Sequence, residues 1–289
     1  MSEEQQSIRD LLAEVSQALA SAGVPEARRE AMSLVEYVSA HDRTFLITHP
    51  EAALAPSDVG RLREVVERRA EGEPLQYITG HQEFYGLDFE VTPDVLIPRP
   101  ETELLIETAL ELIDGESEPT FICDIGTGSG CIPIAILHER PGARAIGLDI
   151  STKALEVAAR NARRLGVHER LTLIASDCFA ALEAESLRFT LIVSNPPYVA
   201  EDALAGLQRE VRDHEPRVAL TPGADGLRII ARLLVDSPRF LKVGGHLLME
   251  IGFDQHEAVR ELIDPQVWQL LDIHKDLQGI PRTVALRKK

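Results

Sequence analysis

The chain has few cysteines and few aromatic residues, and each shortage limits what it can be. Only three cysteines occur among 289 residues, Cys123, Cys131 and Cys178, and none forms a CxxC pair or a metal-binding cluster with histidine. We therefore expect no disulfide framework and no metal site, and reduced thiols favour the cytoplasm. Aromatic residues make up 4% of the sequence, so leucine, valine, isoleucine and alanine must form the core.

Positive charge is also scarce. The chain has 30 Lys plus Arg against 47 Asp plus Glu, a net charge of −17. Even the first 80 residues contain eight arginines and no lysine against fourteen acidic residues. This composition argues against a surface that follows nucleic-acid phosphates. No apolar run approaches the length of a membrane span, and the acidic start MSEEQQSIRD is unlike a secretory signal. The sequence predicts a cytoplasmic protein with no membrane and no direct nucleic-acid partner.

The hydrophobic pattern divides the chain into three parts. In residues 1–80, apolar residues recur at three- and four-residue spacings and predict a small bundle of short helices. Residues 81–100 combine a hairpin signal with three prolines and predict a linker. In residues 101–289, seven short apolar runs alternate with helical segments. This alternation predicts a Rossmann-like α/β domain with a parallel sheet that is covered on both faces.

A glycine-rich loop follows the first predicted strand of this α/β domain. A dinucleotide fingerprint would place its third glycine at position 131, but that residue is Cys131 and the third glycine is Gly130. The resulting GxGxG pattern is typical of methyltransferases. Asp149, 19 residues after Gly130, follows the next strand and could accept both ribose hydroxyls. Asp177 and Cys178, after the third strand, could contact an adenine ring.

These strand ends predict a site for a nucleoside ligand, and the methyltransferase form of the glycine loop favours S-adenosylmethionine. Alone, either acidic residue is more simply a helix cap or a solvated loop residue, but three successive strand ends with suitable groups favour a nucleoside ligand. The predicted cofactor-binding residues are Gly126, Thr127, Gly128, Ser129, Gly130, Asp149, Asp177, Cys178 and Asn195.

The tetrapeptide Asn-Pro-Pro-Tyr at residues 195–198 follows the fourth predicted strand. A proline turn that ends a strand is the simple alternative. An amide nitrogen is a poor nucleophile, however, and needs acceptors for its two N–H groups to hold it in line with a methyl donor. The Asn195 side-chain oxygen and the Pro196 carbonyl could serve, with Pro197 stiffening the loop and Tyr198 facing the amide. We predict Asn195, Pro196 and Tyr198 as catalytic residues and all four as substrate-binding residues.

The chain resembles the HemK-type release factor glutamine methyltransferases over essentially its whole length. The likeness rests on the helical first part, the hairpin linker, IPRPETE at residues 97–103, DIGTGSG at residues 124–130 and NPPY. It implies a seven-stranded class I methyltransferase domain, S-adenosylmethionine as cofactor, and methylation of the glutamine in the Gly-Gly-Gln motif of bacterial class 1 release factors to N5-methylglutamine. It also implies that the helical part binds the release factor.

Two features of the sequence allow more than one interpretation within this resemblance. Cys178 stands where the family tends to have a larger apolar or aromatic residue, which leaves the adenine contact open. Arg99, Glu101 and Glu103 either begin a helix that acidic residues favour or line the methionine side of the cofactor pocket.

Three other functions stay open at this stage. A sibling enzyme could methylate a glutamine of a ribosomal protein with the same site. Adenine methylation of DNA uses the same tetrapeptide on a flipped base, although the acidic charge argues against it. A non-enzymatic nucleoside-binding protein could also share the fold.

Overall fold

A computed structural model describes residues 6–114, 120–184 and 188–289 of the chain. The first five residues, which the sequence assigns to the helical part and its acidic start, lie outside the described residues. The chain folds as two compact units. Unit 1 comprises Met1–Gly80 and Gln208–His214, and unit 2 comprises His81–Leu207 and Glu215–Lys289. None of the helices in the described ranges is both long and apolar enough to cross a bilayer.

Unit 1 is a set of short helices around one apolar core, as the helical spacing predicts. The side chains of Ile8, Leu19 and Leu34 are fully buried there. The Ser7 and Asp42 side chains cap the first and third helices by accepting backbone N–H groups. Its first five helices are α1 (Ile8–Ser21), α2 (Ala27–Ser39), α3 (Arg43–Thr48), α4 (Pro56–Ala70) and α5 (Leu75–Thr79). The later segment adds α9 (Arg209–His214), which is numbered by its place in the whole chain.

An ion-pair cluster links the later segment to the other helices of unit 1. Arg69, whose side chain is only 5% exposed, pairs with Glu30 at 2.5 Å and with Glu210 of α9 at 2.8 Å. The sequence placed α9 in the methyltransferase domain, whereas the structure groups it with the helices. Hydrophobic periodicity could not show this, because a charge pair between distant residues leaves no periodic signal.

Unit 2 begins with the predicted hairpin and continues into a mixed sheet. The hairpin pairs β1 (His81–Phe84) with β2 (Leu87–Glu90), and Tyr85 and Gly86 make its turn with positive φ angles. The remaining strands are β3 (Phe121–Ile125), β4 (Arg144–Asp149), β5 (Leu171–Ala175), β6 (Phe189–Ser194), β7 (Leu241–Glu250), β8 (Trp268–Lys275) and β9 (Pro281–Lys288). The helices are α6 (Glu103–Ile113), α7 (Cys131–Glu139), α8 (Thr152–Arg164), α10 (Arg217–Leu220), α11 (Arg228–Asp236) and α12 (His256–Leu262).

The sheet has seven strands in the order β5-β4-β3-β6-β7-β9-β8. The first five strands in this order are parallel, whereas β9 runs antiparallel to both β7 and β8. The predicted α/β fold is confirmed, but its expected parallel sheet is mixed at one edge. Only a short turn joins β8 to β9, and a parallel connection would need a dozen or more residues.

A buried asparagine on α8 connects the hairpin to the glycine-rich loop within unit 2. The Asn161 side chain, 0% exposed, accepts the N–H of Glu90 at 2.8 Å and donates to the Glu90 carbonyl at 3.0 Å. It also donates to the Ser129 carbonyl at 2.9 Å. Because Asn161 and Ser129 are buried and Glu90 is half-buried, loss of the amide leaves backbone groups unsatisfied.

We therefore expect Asn161→Leu to lower the free energy of unfolding of unit 2 by about 2–4 kcal/mol. Urea denaturation followed by fluorescence measures this change, because Trp268 is the sole tryptophan and lies buried in unit 2. Exposed Arg163 on the same helix provides the control, and Arg163→Ala should change stability by less than about 0.5 kcal/mol. Equal effects of the two substitutions would contradict this role for Asn161.

Candidate active site

The register of three parallel strands brings the predicted motifs side by side. Ile125, the last residue of β3, pairs with Leu148 of β4 and with Ser194 of β6. The next residues along the three strands are therefore Gly126, Asp149 and Asn195. Ligands of such sheets bind at these carboxyl ends, so this edge is the candidate active site.

The glycine-rich loop turns sharply at the end of β3 and enters α7. The N–H groups of Gly126 and Thr127 both donate to the Leu148 carbonyl, at 2.8 and 3.0 Å. Gly126 and Gly128 have positive φ angles, and a Cβ on either would meet no atom nearer than 4.0 Å. Their backbone therefore leaves open space where a ligand can approach closely.

Gly130 has a different function in this loop. It has φ of +80° at the start of α7, and a Cβ there would lie 2.9 Å from the Ile134 side chain and 3.2 Å from Ala158. The third glycine of the motif therefore allows α7 and α8 to pack closely and does not line the cavity.

Asp149 is held in place by the loop that it faces. One carboxylate oxygen accepts the Gly128 N–H at 2.8 Å, and the other accepts the Ser151 N–H at 2.8 Å. Burial raises the pKa of Asp149, and the backbone hydrogen bonds act in the opposite direction. Each oxygen keeps a further lone pair. Asp149 can therefore orient the loop and still accept ligand hydroxyls.

A cavity of about 240 Å³ lies along this edge, and most of the predicted site residues line it. Of the predicted residues, those lining the cavity are Gly126, Thr127, Gly128, Ser129, Asp149, Asp177, Cys178, Asn195, Pro196 and Pro197. Gly130 and Tyr198 are the two that do not. The combination of open glycine backbone, a carboxylate with spare lone pairs and a lining that is partly apolar fits a nucleoside with hydroxyl groups.

Asp177 and Cys178, which follow β5 after Ser176, both line the cavity. Asp177 pairs with Arg232 of α11, with 2.6 Å between carboxylate oxygen and guanidinium nitrogen, so part of its acceptor capacity is used. Cys178 lines the cavity with a φ of 47°, and burial raises the pKa of its thiol. The thiol is therefore held in its neutral form, which suits contact with a flat apolar ring.

The Asn-Pro-Pro-Tyr segment is fixed at both ends. The Asn195 amide nitrogen donates to the hydroxyl of Thr102 at 3.1 Å, and the Tyr198 hydroxyl donates to Glu250 at 3.0 Å. The Tyr198 carbonyl accepts the Gln255 amide at 2.9 Å. Tyr198 thus anchors the loop through its hydroxyl and its carbonyl, whereas its predicted stacking on a substrate amide remains a prediction.

Two residues of this site were absent from the sequence prediction. Thr102 and Glu250 are 2% and 1% exposed, and the Thr102 hydroxyl donates to Glu250 at 2.6 Å. Thr102 lies within the IPRPETE segment, so that motif was the available signal. Glu250 at the end of β7 gave none, because only the folded sheet brings it to the tetrapeptide.

The charged residues of IPRPETE separate into different roles. Arg99 lines the cavity and forms an ion pair with the buried carboxylate of Glu215. Glu103 accepts the backbone N–H of Tyr85 at 2.9 Å and so holds the hairpin turn. Neither Glu101 nor Glu103 lines the cavity.

Asp124, the fourth residue of β3, is a further buried acid beside the loop. It is 0% exposed, and neither carboxylate oxygen has a hydrogen-bond partner among the described residues. Burial raises the pKa of Asp124 to about 7; the nearby Thr127 hydroxyl acts in the opposite direction, and the charge of Asp149 raises the pKa further. An unpartnered buried carboxyl costs stability, and such costs are concentrated at functional sites.

Two regions of the chain match known family models. The family model described as the PrmC N-terminal domain matches residues 10–80, and the one described as the methyltransferase small domain matches residues 100–212. A release factor glutamine methyltransferase from Koribacter versatilis is 44% identical over 270 residues, covering 93% of this chain and 94% of the relative. Another from Moorella thermoacetica is 46% identical over 255 residues, covering 88% and 89%.

Among solved structures, a methyltransferase from Pyrococcus furiosus has a TM-score of 0.50 at 15% identity, covering 79% of this chain and 98% of that one. At this identity the likeness concerns the fold alone. The similarity to the sequence relatives is much higher and extends over both units, so the chain is a methyltransferase and belongs to the release factor glutamine methyltransferase family.

Proposed function

We propose that this enzyme transfers a methyl group from S-adenosylmethionine to the side-chain nitrogen of the glutamine in the Gly-Gly-Gln motif of peptide chain release factors, giving N5-methylglutamine. The observation that carries the proposal is the strand register that sets the Asn195 amide beside the open glycine loop and Asp149. A site for a nucleoside and a site for an amide then share one cavity. A substrate that belongs to the translation machinery implies that the enzyme acts in the cytoplasm.

The residues around the cavity suit this cofactor. Asp149 would hold the ribose hydroxyls, the backbone of Gly126 and Gly128 would allow close approach, and Cys178 would contact the adenine ring. When bound, S-adenosylmethionine supplies an electrophilic methyl group on a sulfonium sulfur. Because Asp177 is paired with Arg232, its contact with the adenine amino group would have to use the remaining carboxylate lone pairs.

The tetrapeptide would bind and orient the glutamine amide. Its NH₂ group has two donors, and the Asn195 oxygen and the Pro196 carbonyl provide two acceptors. Pro196 and Pro197 restrict the backbone and have no N–H that could compete. These acceptors also stabilise the positive charge that develops on the nitrogen during transfer. Positioning of this kind can lower a barrier by roughly 7–11 kcal/mol. The methylated amide nitrogen is acidic and would release its proton to water, so we propose no strong general base.

A direct experiment separates this proposal from its alternatives. The purified enzyme is incubated with labelled S-adenosylmethionine and either a release factor, ribosomal proteins or duplex DNA. We expect label only in the release factor, and mass analysis of its peptides should find one added methyl group on the Gly-Gly-Gln glutamine. A release factor with Gly-Gly-Glu at this site is the control and should stay unlabelled. Label that enters only ribosomal protein or DNA would contradict the proposed substrate.

Asn195→Ala should reduce kcat by about 10²- to 10³-fold, because one acceptor of the developing charge is lost. Binding of S-adenosylhomocysteine, measured by calorimetry, should remain within about threefold of wild type, since the loss of one neutral contact contributes little. Gln269→Ala, which removes an exposed amide on β8, should leave both quantities unchanged. An Asn195→Ala enzyme with near-normal kcat would exclude the amide clamp.

Asp149→Asn should weaken S-adenosylhomocysteine binding by roughly 10- to 100-fold, because hydrogen bonds to a charged acceptor contribute about 1.5–3 kcal/mol. The substitution also places an NH₂ group opposite one of two backbone donors, at Gly128 or Ser151. Exposed Asp254 provides the matched control, and Asp254→Asn should bind the ligand normally. Equal affinities for the two variants would show that Asp149 does not contact the ligand.

A further inference from the structure

A chain of hydrogen bonds runs from a buried carboxylate to the amide that faces the cavity. Glu250 at the end of β7 accepts the Thr102 hydroxyl on one oxygen at 2.6 Å and the Tyr198 hydroxyl on the other at 3.0 Å. The Thr102 oxygen in turn accepts the Asn195 amide nitrogen at 3.1 Å. Thr102 and Asn195 line the cavity, whereas Glu250 does not.

The donor and the acceptor of each of these hydrogen bonds follow from the bond between Thr102 and Glu250. Burial raises the pKa of Glu250, whereas the hydrogen bonds from Thr102 and Tyr198 and the charge of Arg282 lower it and favour the ionised form. An ionised carboxylate can only accept, so in this form both hydroxyls donate to Glu250. A threonine hydroxyl has one hydrogen, and the hydrogen of Thr102 is donated to Glu250. Towards Asn195 the Thr102 oxygen can therefore only accept, which requires the Asn195 NH₂ end. The Asn195 oxygen is then the end that is left for the cavity.

We propose that Glu250 is a positioning residue that, through Thr102, fixes the orientation of the Asn195 amide and thereby makes the site select glutamine over glutamate. This inference rests on the proposed function and deepens it. A glutamine side chain offers N–H donors to the Asn195 oxygen, whereas a glutamate side chain would place a second acceptor against it. If the Asn195 amide turned over, its NH₂ end would face the cavity and the preference would change.

The reverse orientation is excluded only while Glu250 is an acceptor. In Glu250→Gln, the new NH₂ group can donate to the Thr102 oxygen, which frees the Thr102 hydrogen to donate to the Asn195 oxygen. The Asn195 NH₂ group then faces the cavity and accommodates a carboxylate. A residue that only supported the fold would change stability without changing the preference between the two side chains.

The test uses two synthetic peptides that differ in one residue: one contains Gly-Gly-Gln and the other Gly-Gly-Glu. Binding of each peptide is measured by calorimetry with S-adenosylhomocysteine present, and kcat and KM are measured with the intact release factor. For Glu250→Gln we expect kcat to fall by at least about tenfold with KM changed less. The ratio of peptide affinities should shift by about tenfold or more towards Gly-Gly-Glu, since one hydrogen bond is exchanged for a repulsive contact.

If Glu250→Gln does not fold, variants of Thr102 test the same positioning role. Thr102→Val removes the oxygen that orders the amide, so kcat should fall and the preference for Gly-Gly-Gln should weaken by about tenfold. Thr102→Ser retains the hydroxyl and should restore both to within about threefold. Tyr198→Phe removes the other hydrogen bond to Glu250 but leaves the Thr102 branch intact, so the peptide preference should persist.

The outcomes distinguish this inference from the proposed function. If the wild-type enzyme methylates the release factor but Glu250→Gln and Thr102→Val retain the wild-type peptide preference, the positioning role is refuted and the function stands. If the wild-type enzyme neither methylates the release factor nor prefers Gly-Gly-Gln, both are refuted. A shifted preference in Glu250→Gln or Thr102→Val, with recovery in Thr102→Ser, supports the positioning role.

Discussion

The parallel pairing of β3 with β4 and β6 is the constraint on which the rest of the site depends. Parallel strands in register end at the same edge, so Gly126, Asp149 and Asn195 become neighbours although they are far apart in the chain. A shift of the register by one residue would turn alternate side chains to the opposite face of the sheet. Apart from half-buried Phe121, the apolar residues of all three strands are buried, and this burial fixes the register. The chemistry at the edge is therefore positioned by packing in the core.

The sequence predicted those features of the fold and the site that depend on residues close together in the chain. The glycine loop and the Asn-Pro-Pro-Tyr segment are continuous motifs at strand ends, and the predicted α/β fold followed from the alternation of elements. Thr102 and Glu250 could not be recognised together, because 148 positions separate them and only the sheet joins them. The pairing of Asp177 with Arg232 is likewise a product of tertiary structure, since α11 must pack beside the end of β5.

Three acidic side chains at or near strand ends, half-buried Asp149 and buried Glu250 and Asp124, differ in the hydrogen bonds that they receive. Asp149 is compensated by two backbone N–H groups and Glu250 by two hydroxyls, which offset the cost of removing each carboxylate from water. Asp124 has no partner within hydrogen-bonding distance among the described residues, and burial raises its pKa to about 7. Asp149 and Glu250, whose orientation affects the groups that line the cavity, are thus the two acidic residues that accept hydrogen bonds. Asp124 does not line the cavity.

The segment that would hold the substrate amide is rigid for reasons that extend beyond its prolines. Gly226 has a φ of +79°, and a Cβ there would lie 2.2 Å from the Tyr198 carbonyl. Only glycine therefore lets the backbone come this close to the end of the tetrapeptide. Gln255 fixes the same carbonyl from a second direction. A methyl transfer to an amide gains little from a base but much from exact alignment, because the nitrogen lone pair is delocalised. A clamp held by Glu250, Gly226 and Gln255 therefore meets the main requirement of the reaction with hydrogen bonds and packing alone.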